Sequence, residues 1–126
     1  MEYKKLNVWQ QSFDLAVNVH QAINHCRDFG FKDQIRRSAV SVPSNIAEGE
    51  ERETIKESVR FLYYAKGSCG ELVTQLMLAK EFGYIEPQKV ESLLSSAIRV
   101  SKMIAGLIKY RSGNVREEHG TYDILN

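Results

Sequence analysis

Residues 34–49, Gln-Ile-Arg-Arg-Ser-Ala-Val-Ser-Val-Pro-Ser-Asn-Ile-Ala-Glu-Gly, sort onto two sides of a helix. At 100° per residue, Ile35, Ala39, Val42 and Ile46 fall within about 60° of one another. Gln34, Arg37, Ser41, Ser44, Asn45 and Glu48 gather on the opposite side, within about 80–100°. The first set demands a hydrophobic core. The second set is rich in side chains that donate or accept directed hydrogen bonds, where a merely solvated face would carry Lys and Glu. Pro43 lies inside the segment and removes the hydrogen bond to the Ala39 carbonyl. Because the apolar positions keep one face before and after it, the sequence predicts a helix that bends at Pro43 and does not break.

The rest of the chain follows the same helical period, with two prolines and few alternating β-branched runs. A first helix is predicted over about 7–27, with Val8, Ser12, Leu15, Ala16, Val19, Ala22, Ile23 and Cys26 towards the core, stopped by Asp28-Phe29-Gly30. The second spans about 32–48 and stops at Gly49. The third spans about 54–82, with Thr54 as cap, Glu57 completing a capping box, and Gly83-Tyr84 ending it. Its core face is Phe61, Leu62, Ala65, Cys69, Leu72, Val73, Leu76 and Ala79. The fourth begins at Pro87 and runs to about 111 on Val90, Ala97, Ile104 and Ile108. Four helices with short connectors predict an antiparallel up-down four-helix bundle over residues 1–112. Residues 113–126 are polar and are expected to form a flexible tail.

Size and charge narrow the function. A chain of 126 residues is enough for one packed core without staples. The net charge of +1 gives no bulk attraction to nucleic acid, so such binding needs a local patch. Cys26 and Cys69 lack metal or redox spacing, and no leader or membrane-length apolar run is evident, which predicts a reduced, cytoplasmic protein.

Catalytic and metal constellations are missing from the pattern. His20 and His25 are five residues apart and do not share a helix face as metal ligands would. There is no H-E-x-x-H, no E-x-x-H and no glycine-rich phosphate loop. The Arg-x4-6-His spacing of one class of small helical ribonucleases is absent too, since Arg111 and Arg116 precede His119 by eight and three residues. The expectation is a protein that is not an enzyme and needs no cofactor and no metal.

Three surfaces remain. On the second helix Arg37, Ser41, Asn45 and Glu48 read either as contacts to phosphates and bases or as a coupled polar network that fixes the Pro43 bend and a subunit contact. On the fourth, five Lys or Arg and no acid lie between Glu91 and Glu117. Arg99, Lys102 and Lys109 fall within about 80° away from the core face, with Tyr110 nearby. They read as a nucleic-acid footprint or as charges complementing the helix C-terminus. On the third, Tyr64, Leu78 and Phe82 lie within about 40° of one another off the core face. With a first helix whose only charge between Leu6 and Cys26 is Asp14, they predict an oligomer interface.

The 34–49 segment also resembles the signature Q-[IL]-R-R-A-A-x-S-[IV]-P-x-N-I-A-E-G of the 23S rRNA-intervening-sequence proteins, departing from it only where Ser38 replaces the first Ala. The resemblance extends to Leu6-x-Val8-Trp9-Gln10, Arg60-Phe61-Leu62, Ala65-x-Gly67-Ser68, Glu71-Leu72 and Leu78-Ala79…Gly83-Tyr84, over roughly residues 5–110. It implies a four-helix bundle assembled into a cyclic homo-oligomer, with a pentamer as the related form. Through a relative in diversity-generating retroelements, an accessory of the reverse transcriptase, it also implies RNA or DNA, or a nucleic-acid-processing enzyme, as partner. The reading that results is a non-enzymatic oligomeric interaction module; a protein-only scaffold is the alternative.

Overall fold

The computed structural model describes residues 1–119, with side chains to residue 113. After a short 3-10 helix at Glu2–Lys5 come four α-helices: α1 (Asn7–Ala22), α2 (Phe29–Glu50), α3 (Ile55–Glu81) and α4 (Pro87–His119). Strands are absent among the described residues. Helices consecutive in sequence pack together, α4 also packs on α1, and the backbones of the diagonal pairs stay apart. The bundle is therefore a four-cornered up-down arrangement in which the α1–α2 side and the α3–α4 side face opposite ways. The core positions expected on each helix converge: Val19, Ile35, Val42, Ile46, Leu62, Leu72, Leu76, Val90, Ala97 and Ile104 are all fully buried. Phe61 and Val73, also expected inside, are only half-buried, at the edges of the α3 stripe.

Helix ends differ from the sequence expectation in three informative places. Asp28 does not close the first helix; it opens the second. Its carboxylate accepts the Phe31 N–H at 3.1 Å as an N-cap. α1 ends earlier, at Ala22, because side chains from α2 cap the turn that follows. Arg36 donates to the His20 carbonyl and to Asn24 Oδ1, both at 3.3 Å, and Lys32 Nζ donates to the Asn24 carbonyl at 2.8 Å. Gly49 does not stop α2, which continues to Glu50. A Cβ at Gly49 would stand 3.0 Å from the Ser58 carbonyl oxygen and 3.3 Å from Phe61 Cβ, so glycine is there to let α2 and α3 approach closely.

Three of the other expectations concern single residues. α2 runs unbroken through Pro43, with Ile35 and Ile46 in the same core. Thr54 Oγ1 accepts the Glu57 N–H at 3.1 Å as the expected cap, but the Glu57 carboxylate turns to Arg60 at 3.2 Å, so the capping box is only half formed. Gly83, at φ 75°, closes α3: its N–H bonds the Lys80 carbonyl and the Tyr84 N–H bonds the Ala79 carbonyl, the paired pattern of a glycine C-cap. α4 continues to His119, well past the expected end near 111. The expected tail therefore begins as helix, and its residues 120–126 lie outside the described part. No helix is long and apolar enough to cross a membrane among the described residues.

Candidate functional site

Arg99, Lys102 and Lys109 all point into solvent from α4 and take part in no ion pair among the described residues. From Arg99 to Lys109 the row is about 15 Å long at 1.5 Å per residue. That length covers about four phosphates of a nucleic-acid strand at ~3.4 Å each. Lys102 borders a shallow groove between α3 and α4 whose other wall carries Lys66, with Gly70, Val73, Ile98 and Ala105 forming the floor. Glu91, which precedes the row and lines a groove with Arg99 and Lys102, is engaged by Lys80 at 3.1 Å. Because α4 extends to His119, Lys109 stands more than two turns before the helix end. Complementing the helix dipole, an effect confined to the last turn, therefore does not account for the row.

Arg111, another of the five basic residues, does not join that row. It lies on the core side of α4, where its guanidinium reaches Glu50 Oε2 at 2.7 Å and donates to Ser58 Oγ at 3.0 Å. Only 20% of the Arg111 side chain and 13% of the Glu50 side chain meet solvent. The three residues tie α2, α3 and α4 together beside the Gly49 close approach. The sequence held a signal for this clamp: Arg111 is only about 60° from Ile108 on the wheel, well inside the apolar arc.

The network expected from Arg37, Ser41, Asn45 and Glu48 divides. Ser41 Oγ and Ser68 Oγ share a 2.8 Å hydrogen bond, and Asn45 Nδ2 donates to both the Ser41 carbonyl and Ser41 Oγ at 2.9 Å. This half-buried trio joins α2 to α3. Glu48 stays outside it, paired with Arg52 at 2.7 Å one turn on in exposed surroundings. Arg37 is exposed and borders a polar groove between α2 and α3 that also carries Gln34, Ser41, Ser68, Glu71, Thr74 and Gln75. The coupling of Arg37 to Glu48 expected from sequence is therefore corrected: one flank of the polar face turns into the helix contact and the other turns into water.

The expected interface residues are exposed, with Tyr64 at 48%, Leu78 at 40% and Phe82 at 53%. They do not form one patch. Tyr64 and Leu78 are fourteen residues apart, about 21 Å along α3, so angular agreement on the wheel hid an axial separation. Tyr64 meets Phe61 edge-on, and Phe82 joins Phe31 and Tyr84 in an aromatic cluster at the other end. The larger apolar face is elsewhere. Between α1 and α2 a groove of about 480 Å³ is lined by Tyr3, Trp9, Phe13, Val17, Val40 and Pro43, among others, with no Lys, Arg, Asp or Glu. Phe13, Val17 and Val40 are each more than 40% exposed. Phe13 and Val17 lie off the core arc of α1, and that was the sequence signal for this groove.

Two titrating groups are perturbed by contacts. The Tyr84 hydroxyl donates to Asp28 Oδ2 at 2.8 Å, which with the Phe31 N–H lowers the Asp28 carboxyl below its ordinary value and raises the Tyr84 phenol. Burial pushes the Cys69 thiol up to about 11, and it donates to the Ala97 carbonyl at 3.2 Å. Such a thiol bonds α3 to α4 and does not act as a nucleophile at neutral pH. No cluster of three or more His, Cys, Asp or Glu side chains is placed to hold a metal among the described residues.

A family model described as 23S rRNA-intervening sequence protein matches residues 4–106. Among solved structures, the chain is similar to a protein of unknown function from the S23 ribosomal protein family of Bacteroides thetaiotaomicron. The two are 25% identical; the match covers 81% of this chain and 98% of the other, with a TM-score of 0.76. No curated protein matches the chain.

Proposed function

We propose that this chain, which belongs to the 23S rRNA-intervening sequence protein family, is a non-enzymatic interaction module of the cytoplasm that self-associates and offers the α4 row to RNA or DNA. It works without cofactor or metal. The observation that carries the reading is the row itself: Arg99, Lys102 and Lys109 face solvent over about 15 Å of a helix side and have no acidic partner among the described residues. Charge of this kind attracts phosphate without reading sequence. Self-association is supported by the uncharged apolar groove between α1 and α2, since such patches on a small protein usually meet a partner. A cyclic pentamer, the form the family resemblance implies, would repeat the row five times.

The test is a salt titration of RNA and DNA binding by the wild type and by the triple variant Arg99→Glu, Lys102→Glu, Lys109→Glu. Wild-type affinity should fall steeply with salt, and the variant should lose binding while keeping its solution mass. Equal binding by the variant, or no binding at ~50 mM salt, would remove the nucleic-acid part. A protein-only scaffold would then take its place, a reading favoured by the near-neutral net charge of +1 and the same groove.

A further inference from the structure

We propose that the α1–α2 groove receives residues 121–125 of a second copy of this chain, so that the end of α4 from one protomer latches onto its neighbour. The inference rests on the self-association part of the proposed function and names what fills the apolar face. Three observations lead to it.

The first is the match between groove and segment. The groove runs along α1 from Trp9 to Gln21, twelve residues, or about 18 Å at the helical rise. Five residues of extended chain span about 17 Å. The segment Thr121-Tyr122-Asp123-Ile124-Leu125 carries three large apolar side chains, in a terminal stretch otherwise rich in Asn, Arg, Glu and Gly. Tyr122 and Ile124, two residues apart, share one side of an extended strand. Trp9, Phe13, Val17 and Val40 offer aromatic and branched surface to receive them.

The second is where the segment starts. The ion pair of Arg111 with Glu50 fixes the axial level of α4 at the C-terminal end of α2. From there α4 continues to His119, about 12 Å beyond the last turn of α2. The segment is thus joined to the bundle about two turns beyond the end of α2.

The third is reach, which keeps the segment from filling its own groove. Ser44, Pro43 and Val40 form the α2 wall, and Ser44 lies six residues before Glu50, about 9 Å down the axis. The tip of α4 and this wall are thus about 21 Å apart along the bundle. Crossing from the α4 corner adds about one interhelical spacing, ~10 Å. From His119, Tyr122 extends at most about 10 Å, Ile124 about 17 Å and Leu125 about 20 Å. Ile124 and Leu125 can meet the Tyr3–Trp9 end of their own groove, but its α2 wall and its length towards Gln21 are out of range for all three. A neighbour's groove brought beside the tip of α4 is not.

Trp9 is the only tryptophan of the chain and it lines the groove, so its emission reports occupancy directly. In the full chain, emission should shift to the blue as protein concentration rises, in step with an increase in solution mass. The full-length variant Ile124→Asp/Leu125→Asp should lose this concentration-dependent shift. A synthetic peptide of residues 119–126 added to that variant should restore the shift, and the same peptide carrying both Asp substitutions should not. A concentration-independent emission that moves to the red in the Ile124→Asp/Leu125→Asp variant would mean the segment closes on its own groove and would overturn the proposal. An assembly that forms with unchanged Trp9 emission in wild type and variant would also overturn it, leaving self-association intact through another face. A full chain that stays monomeric at tens of micromolar, with the same Trp9 emission in wild type and variant, would refute both the latch and the self-association beneath it. Nucleic-acid binding, measured separately with the triple α4 variant, is independent of each of these outcomes.

Discussion

Arg111→Ala is the substitution whose consequences separate scaffold from function most cleanly. Arg111 holds Glu50 at 2.7 Å and Ser58 at 3.0 Å, and its removal leaves a carboxylate only 13% exposed and a hydroxyl on a buried residue without their shared partner. Breaking a fully buried pair from one side costs about 3–5 kcal/mol. Water still reaches a fifth of the Arg111 side chain, so we expect a smaller loss of about 2–3 kcal/mol. For a domain of this size that is a drop of about 6–12 °C in Tm. The measurement is urea unfolding followed by circular dichroism, at one fixed protein concentration because the proposed self-association would add to apparent stability. Glu50→Leu/Arg111→Leu should recover most of the loss, since an apolar pair of similar bulk removes the stranded charge. That double variant should also bind RNA and DNA as the wild type does, because Arg111 stands apart from the exposed row. A loss below ~0.5 kcal/mol, the size of an ordinary exposed pair, would refute the clamp. So would loss of nucleic-acid binding in a double variant that is fully folded.

Gly49→Ala should destabilise by about 1–3 kcal/mol in the same assay, since the new Cβ meets the Ser58 carbonyl at 3.0 Å and backbone must move; an unchanged midpoint would show that α2 and α3 have room to spare. Val42→Asp places a charge at a position with no exposure, and a loss of about 4 kcal/mol or more is expected, with an unfolded or molten chain as the extreme; a folded variant of near wild-type midpoint would contradict the burial. Arg37→Ala and Glu48→Ala should be additive within about 0.5 kcal/mol, because the two side chains share no contact. Tyr84→Phe should flatten both ends of the stability–pH profile. Asp28, lowered in the fold from 3.8, contributes stability present above about pH 4 and lost as pH falls through its folded value. Tyr84, raised from 10.0, contributes stability present below about pH 10 and lost as pH rises through its folded value. A Tyr84→Phe profile that overlays the wild type at both ends would show that this hydrogen bond does not form in solution.

The core was legible because helical period is a local property. Val42 and Ile46 declare their side of α2 with no knowledge of α3, and Pro43 disturbs the backbone without moving either of them. Caps were half legible. Thr54 and Gly83 sit at helix ends for reasons contained in their own turns, whereas the end of α1 depends on Arg36 and Lys32 reaching back from the next helix. Asp28 serves two neighbours at once, the Phe31 N–H and the Tyr84 hydroxyl fifty-six residues away, and only the first partner is visible from sequence. Surface sites were the least legible. A wheel gives angle and discards height, which is why Tyr64 and Phe82 looked adjacent. It also treats every charge as solvated, which is why Arg111 was counted among the five basic residues of the fourth helix and not with the core it borders.

Placement around the bundle joins the two proposed surfaces. The groove lies between α1 and α2; the row lies on α4, with Lys102 bordering the α3–α4 groove on the opposite side of the molecule. An occupant in the first leaves the second uncovered. Association through the groove would therefore add a copy of the row with every protomer and bury none of them. That matters for a chain whose net charge is only +1. Three phosphate contacts from one protomer give weak, salt-sensitive attachment, but a second row on the same assembly binds at an effective concentration that reaches the millimolar range when the spacing fits the polyanion. Nucleic-acid affinity should then follow protein concentration through the assembly midpoint, with the Ile124→Asp/Leu125→Asp variant showing the single-protomer affinity at every concentration. If that variant loses assembly and keeps full affinity, the rows act singly and multivalency has no part in the binding.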